Sequence, residues 1–180
     1  MNEIRFKVVK LICANAPQPN KGWLFTFFSI HSGVKMSITE FSGENRFLSN
    51  FFKCEVEYEG IIYPTSEHAF QAAKTYDEEE RKMILSTKSP VIAKRKGLKV
   101  KLRPDWEEVK VAIMTDILRT KFQQPEFKQQ LLDTLDKDIV EGNKWHDNYW
   151  GKCICKRCNG KGKNVLGKII KKIRDELKNN

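Results

Sequence analysis

Between Tyr63 and Lys74 the chain reads Tyr-Pro-Thr-Ser-Glu-His-Ala-Phe-Gln-Ala-Ala-Lys, and this stretch limits the fold more than any other. Pro64 marks an entry, and Thr65 can cap a helix by accepting a hydrogen bond from a free first-turn amide. Ala69, Ala72 and Ala73 favour the helix and are small, so neighbouring elements can approach closely. Glu67, Gln71 and Lys74 fall at i, i+4 and i+7 and share one face. A narrow polar stripe on a helix otherwise built for burial makes Glu67 a candidate acid, base or nucleophile. Its simpler role is to favour the positive end of the helix dipole.

The strand leading into this helix also has a local signature. Cys54 to Tyr58 and Ile61 to Tyr63 flank Glu59-Gly60, which predicts a tight hairpin. Upstream, Ser37 to Phe41 reads as a short strand. Phe47-Leu48-Ser49-Asn50-Phe51-Phe52 reads as an aromatic loop in which Asn50 is a turn former or a donor to a base or sugar. Downstream, Asp77 caps a helix, with Glu80 placed to reach back as in a capping box. Ser89-Pro90 starts the next helix and Gly97 stops it. The longest helix begins at Arg103-Pro104-Asp105-Trp106 and ends near Gln123, with an apolar stripe through Trp106, Val109, Ile113, Ile117 and Phe122. Pro125 starts a further helix, and Ile139 to Glu141 is a short strand. Asn164 is the expected cap of a final amphipathic helix carrying Leu166, Ile169, Ile170, Ile173 and Leu177. The fold class expected is α+β, a small antiparallel sheet surrounded by several helices.

The 180 residues, 40% of them hydrophobic, suffice for one sizeable core. No apolar run reaches the roughly 18 residues of a membrane span. Five cysteines, an odd number, do not suggest a secreted disulfide scaffold, so a cytoplasmic location with reduced or metal-bound thiols is expected. The formal net charge of +10 favours anionic partners: phosphorylated metabolites, nucleotides or nucleic acid. Residues 1–35 differ from the rest, with two β-prone segments, 5–14 and 23–30, separated by a loop containing Pro17 and Pro19. They read as an N-terminal extension before a domain at 36–180, and Met36 is an alternative start.

Three groups outside the Glu67 helix carry chemistry. Gly160-Lys161-Gly162-Lys163-Asn164 precedes the final helix, and such a turn can offer amides and lysines to a phosphate or be a flexible basic turn. Cys153, Cys155 and Cys158 put three thiols within six positions, a spacing that suits a structural zinc as well as free thiols. The fourth ligand stays open between His146, Cys54 and Cys13. Trp145-His146-Asp147-Asn148-Tyr149-Trp150 offers aromatic faces and a carboxylate inside a loop of about 20 residues, long enough to expect a function.

The ordered set Phe47-Leu48-Ser49-Asn50-Phe51, Pro64-Thr65-Ser66-Glu67-His68-x-Phe70-Gln71-Ala72-x-Lys74, Ser89-Pro90, Arg103-x-Asp105-Trp106, Lys121-Phe122, Asp147-x-Tyr149-Trp150-Gly151 and Gly162-x-Asn164-x-Leu166-Gly167 resembles the NADAR superfamily, its YbiA-like branch in particular. The resemblance runs from about Ile38 to the C-terminus. It implies a compact α+β fold and N-glycosidase activity on ribosylated, phosphorylated heterocycles, including early riboflavin biosynthesis intermediates. Removal of ADP-ribose from guanine in nucleic acid or nucleotides is the alternative activity, and a non-catalytic ADP-ribose-binding module a third. No cofactor is implied as a requirement. Glu67 carries over as the catalytic carboxylate, with Asp147 in support. Asn50, Gln71 and Lys74 would orient sugar or phosphate, Trp106 and Trp150 would wall the base, and Lys163 and Asn164 would hold phosphate. The cysteine-bearing loop replaces the glycine-rich loop of some members.

A chain truncated to begin at Met36 is expected to be soluble and fully active. Failure of that chain to fold, read by circular dichroism, would show that segment 23–30 belongs to the core.

Overall fold

The computed structural model describes residues 36–179. The expectations for residues 1–35, the alternative start and the place of Cys13 lie outside the described residues. In chain order the elements are β1 (Ser37–Ile38), a 3-10 helix (Gly43–Leu48), β2 (Val56–Tyr58), β3 (Ile61–Tyr63), α1 (Ser66–Ala72), α2 (Glu78–Leu85), α3 (Pro90–Gly97), α4 (Trp106–Gln123), α5 (Pro125–Leu132), β4 (Asp138–Ile139), β5 (Gly142–Asn143), β6 (Lys152–Cys153) and α6 (Val165–Lys178).

The class is α+β, and its strand part is divided into three two-stranded ladders. Among the ladders of the described residues only β2–β3 is antiparallel, with Val56 opposite Tyr63. The Glu59-Gly60 turn closes it with positive φ at both residues, 50° and 75°, the geometry of a two-residue hairpin. The β1–β4 and β5–β6 ladders are parallel. For two of the ladders connectivity is the reason: the short turn permits antiparallel pairing of β2 and β3, and the long crossover from β1 to β4 permits parallel pairing; β5 and β6 are joined by residues 144–151 alone.

Short α1 is the centre of the packing. All seven of its residues are buried, and it contacts α2, α3, α4, β2 and β3. Thr65 caps it as expected, its hydroxyl accepting from the His68 amide at 3.2 Å. The α4 helix lies against α1, β2, α5 and α6, and Ile113, Met114, Ile117, Leu118 and Phe122 are its buried stripe. The inward face of α6 is Leu166, Ile169, Ile170 and Ile173.

Several local expectations change in detail. Asp77 does cap α2, accepting from the Glu79 and Glu80 amides at 2.9 and 3.0 Å. Glu80 does not reach back to it. Its carboxylate takes the Thr75 hydroxyl at 2.6 Å and the Lys101 amide at 3.1 Å, fastening the chain beyond α3 to the end of α1. Ser89 caps α3. Gly97 is the last residue of α3 and has no left-handed φ; a Cβ there would overlap the Gln71 side chain. Glycine is required for close approach of α3 to α1, not for stopping the helix. Asn164 precedes α6 with a left-handed φ of 51° and makes no side-chain cap. Instead its amide group donates to Ile139 O at 2.9 Å and accepts from the Glu141 amide at 3.0 Å, tying the start of α6 to β4.

Two buried cations hold connections in place. Lys121 on α4 donates to Ser49 O at 2.9 Å and lies near the rings of Phe52, Phe122 and Phe127. Burial depresses its pKa to about 8. Arg174 on α6, 1% exposed, donates to the Thr134 hydroxyl at 2.8 Å and to Lys137 O at 2.9 Å, fixing the turn that enters β4. Replacing Arg174 with Ala leaves those acceptors unpaired and opens a cavity. The expected loss is about 3 kcal/mol in denaturant unfolding; a loss within about 0.5 kcal/mol would show the turn is held by other means.

Candidate active site

The buried polar stripe of α1 opens onto a cavity of about 420 Å³. Glu67, Gln71 and Lys74 supply one side, and Phe70 projects beside them. The aromatic loop supplies Asn50 and Phe51, α3 supplies Lys94, and α4 supplies Met114. The chain after β4 closes the site with Glu141, Trp145, Asp147 and Trp150. Local structure explains each placement. The Glu67 amide donates to Asn50 O at 3.0 Å, so the first turn of α1 fixes the aromatic loop, which Lys121 holds from the other side through Ser49.

Glu67 is only 5% exposed. Gln71 Nε2 donates to its Oε1 at 2.7 Å, the i, i+4 pair anticipated on that face. Burial pushes the Glu67 carboxyl above its ordinary pKa, while the Gln71 hydrogen bond and the charges of Lys94 and Lys74 pull it down less strongly. Burial also lowers Lys74, against the attraction of Glu67. Lys74 Nζ reaches Gly97 O at 3.5 Å and lies 5.9 Å from the Trp106 ring centroid. Lys94 lies over the Phe51 ring at 5.8 Å.

Glu141 also lines the cavity, as do Glu40 and Asp147, and desolvation raises its pKa to about 7, with the negative charge of Asp147 adding to the shift. A hydrogen bond from Asn143 pulls that pKa down in part. Asn50 Oδ1 is buried without a hydrogen-bond partner among the described residues, which native polar atoms rarely are. Asp147 plays a partly structural role. Its Oδ1 accepts from the Tyr149 and Trp150 amides at 3.1 and 2.8 Å, which orients Trp150 edge-on to Phe70 at 5.3 Å.

Of the anticipated residues, Glu67, Asp147, Asn50, Gln71, Lys74 and Trp150 meet in the cavity. Trp106, Lys163 and Asn164 are not among its lining residues. Trp106 is buried behind Phe70, 5.0 Å between ring centroids; the apolar stripe of α4 claims it for the core. Lys163 lies over the Tyr149 ring at 5.3 Å, and Asn164 is occupied by β4. The glycine turn is likewise used internally: a Cβ at Gly162 would collide with the backbone of Gly151 and Lys152. Lys94 and Glu141 were missed. Lys94 sits in a run of basic residues, and Glu141 looked like the end of a strand; their sequence signal was the charge itself.

The NADAR domain matches residues 28–178 of the chain. The N-glycosidase YbiA of Shigella boydii serotype 4 (strain Sb227) is 41% identical over 132 residues, 72% of this chain and 79% of that protein. The Escherichia coli (strain K12) N-glycosidase YbiA is 40% identical over the same length. The riboflavin biosynthesis protein VVA0006 of Vibrio vulnificus is 34% identical over 134 residues, 73% of this chain and 35% of that protein. The NMR structure of E. coli YbiA superposes with a TM-score of 0.66 at 33% identity, covering 81% of this chain and 90% of that one.

The raised pKa of Glu141 has a consequence for stability. Between the ordinary value of 4.5 and about 7, the folded protein keeps a proton that the unfolded chain has released. Stability therefore falls as pH rises through that window, and the penalty is complete above it. Glu141→Gln is expected to raise Tm at about pH 8 and to change it little near pH 4. Thermal melts at both values test this; a shift of equal size at each would mean the carboxyl does not titrate as described.

Proposed function

The chain belongs to the NADAR family and is a hydrolase acting on N-glycosyl bonds, and we propose that its substrate is a phosphorylated ribosyl heterocycle such as an early riboflavin biosynthesis intermediate. The observation that carries this reading is the desolvated Glu67 carboxyl facing a cavity that also holds two lysines and aromatic walls. Each feature answers a part of such a substrate. Lys74 and Lys94 attract the phosphate. Phe51 and Trp150 offer faces or edges to the heterocycle. Asn50 and Gln71 are placed to orient the ribose.

Breaking an N-glycosidic bond builds positive charge on the sugar. Glu67 in its ionised form stabilises that charge or accepts a proton from the attacking water, with Asp147 in support. An ionised carboxylate in a dry site is poorly stabilised in the ground state and better stabilised beside a cationic sugar, the difference that accelerates a reaction. Substrate phosphate neutralises the lysines and sharpens this contrast. Glu141, with a pKa near neutrality, is suited to deliver a proton to the departing nitrogen. The products are the free heterocycle and the phosphorylated sugar.

The formal net charge of +10 favours a second reading, hydrolysis of ADP-ribose from guanine in nucleic acid or nucleotides. Assays with a ribosylamino-pyrimidine phosphate and with ADP-ribosylated guanine separate the two, the first releasing free base and the second ADP-ribose. The four cysteines among the described residues form no disulfide, and no helix there is long and apolar enough to cross a membrane. Cysteines outside disulfides suit a cytoplasmic location.

Glu67→Gln preserves shape and the hydrogen bond to Gln71 while removing the charge. Turnover of the preferred substrate is expected to fall about 10²–10⁴-fold, with ligand affinity and Tm largely kept. Near-normal turnover by a folded variant would assign Glu67 a structural role only.

A further inference from the structure

On the segment that carries Trp145, Asp147 and Trp150, the chain gathers four metal-ligating side chains. His146, Cys153, Cys155 and Cys158 place their ligand atoms within 4.8 Å of one another. His146 Nδ1 lies 3.2 Å from Cys158 Sγ, 3.5 Å from Cys155 Sγ and 3.9 Å from Cys153 Sγ. We propose that these residues form a closed Cys3His zinc site that braces the wall of the substrate cavity.

The distances suit the ion. Tetrahedral zinc with Zn–S near 2.3 Å and Zn–N near 2.0 Å separates sulfur from nitrogen by about 3.5 Å and sulfur from sulfur by about 3.8 Å. The three observed nitrogen–sulfur separations bracket the first value. Four protein ligands complete the coordination shell, so the ion is structural and leaves no open position for substrate.

The backbone is shaped for the purpose. Cys155 and Cys158 bracket a tight turn in which the Cys158 amide donates to Cys155 Sγ at 3.3 Å. Asn159 and Gly160 follow with positive φ, 49° and 74°, and Gly160 N returns to Cys153 O at 2.8 Å. That return brings the C-x2-C pair beside Cys153 on β6. His146 adopts a left-handed φ of 66°, a conformation a non-glycine residue takes rarely. Asn148 Nδ2 approaches Cys158 Sγ at 3.5 Å, an outer-shell donor of the kind that steadies a thiolate. Three thiolates, a neutral imidazole and Zn²⁺ carry a net charge of −1, and Lys156 and Arg157 within the turn can balance it. Zinc binding displaces the thiol protons to solvent and involves no redox step.

The role of the site follows from position. His146 stands between Trp145 and Asp147, both of which line the cavity. Anchoring His146 to the cysteine turn holds those neighbours against the opening. Cys54 lies elsewhere, in contact with Gln124, and is excluded as the fourth ligand.

The test is metal analysis of the full-length protein grown with zinc and purified without chelator. About one zinc per chain is expected, lost from Cys155→Ser and from His146→Ala, and retained by Cys54→Ser. Strong chelation should lower Tm by several degrees, and zinc alone should restore it. Cobalt in its place should give the intense visible absorption of tetrahedral thiolate coordination. The proposal is overturned if the wild-type protein carries no zinc and takes none up on titration. It is equally overturned if zinc persists in both ligand variants or is lost with Cys54. These readouts do not use substrate, so they stand apart from the assignment of the reaction.

Discussion

The structure depends on burying a glutamate within its most enclosed helix. Every residue of α1 is inside, yet its polar face needs partners that apolar neighbours cannot supply. Gln71 provides one directly, and Lys74 and Lys94 provide charge at longer range. Burying an ionised carboxylate is costly unless it is paired and hydrogen-bonded, and here the pairing is incomplete by design of the packing. Ala69, Ala72 and Ala73 let the surrounding elements close in, and Gly97 lets α3 approach close enough to clamp Gln71. The same closeness that removes water from Glu67 brings Lys94 to the cavity.

The rest of the chain can be followed outward from that helix. The Glu67 amide holds Asn50 O, and Lys121 holds Ser49 O from the long helix behind it. The aromatic loop is therefore pinned at two adjacent carbonyls. Across the cavity, Asn164 secures β4 and Glu141, and Asp147 turns the chain so that Trp150 meets Phe70. The site is thus assembled from several separate segments, and the aromatic loop and the chain after β4 are each held through hydrogen bonds to their backbone. That arrangement suits a reaction in which charge develops on the substrate, since the surrounding groups need not reorganise.

Much of this was legible where a residue acts on its own neighbours. Thr65, Asp77 and Ser89 announce helix starts, Glu59-Gly60 announces the hairpin, and the period of α4 and α6 announces their buried faces. The Glu67–Gln71 pair was readable because i, i+4 spacing is a local rule. What escaped were residues whose meaning is set by distant partners. Gly97 reads as a helix stop until Gln71 is seen beside it, and Asn164 reads as a cap until β4 claims its side chain. Lys163 and the glycine turn look like a phosphate cradle, but the close approach of Gly162 to Gly151 consumes that freedom. Trp106 satisfied both a core stripe and a site motif, and the core took it. Glu141 gains its altered proton affinity only from burial near Asp147, which no local pattern encodes.

Folding holds the Glu67 carboxyl in a desolvated position where its proton affinity is raised. A ¹³C NMR titration of the glutamate side-chain carboxyls in the free protein, with the Glu67 signal assigned by its absence in Glu67→Gln, reads this directly. A midpoint clearly above the ordinary value of 4.5 is expected. A midpoint at or below that value would mean that water or the lysines govern the carboxyl and that the site is not desolvated.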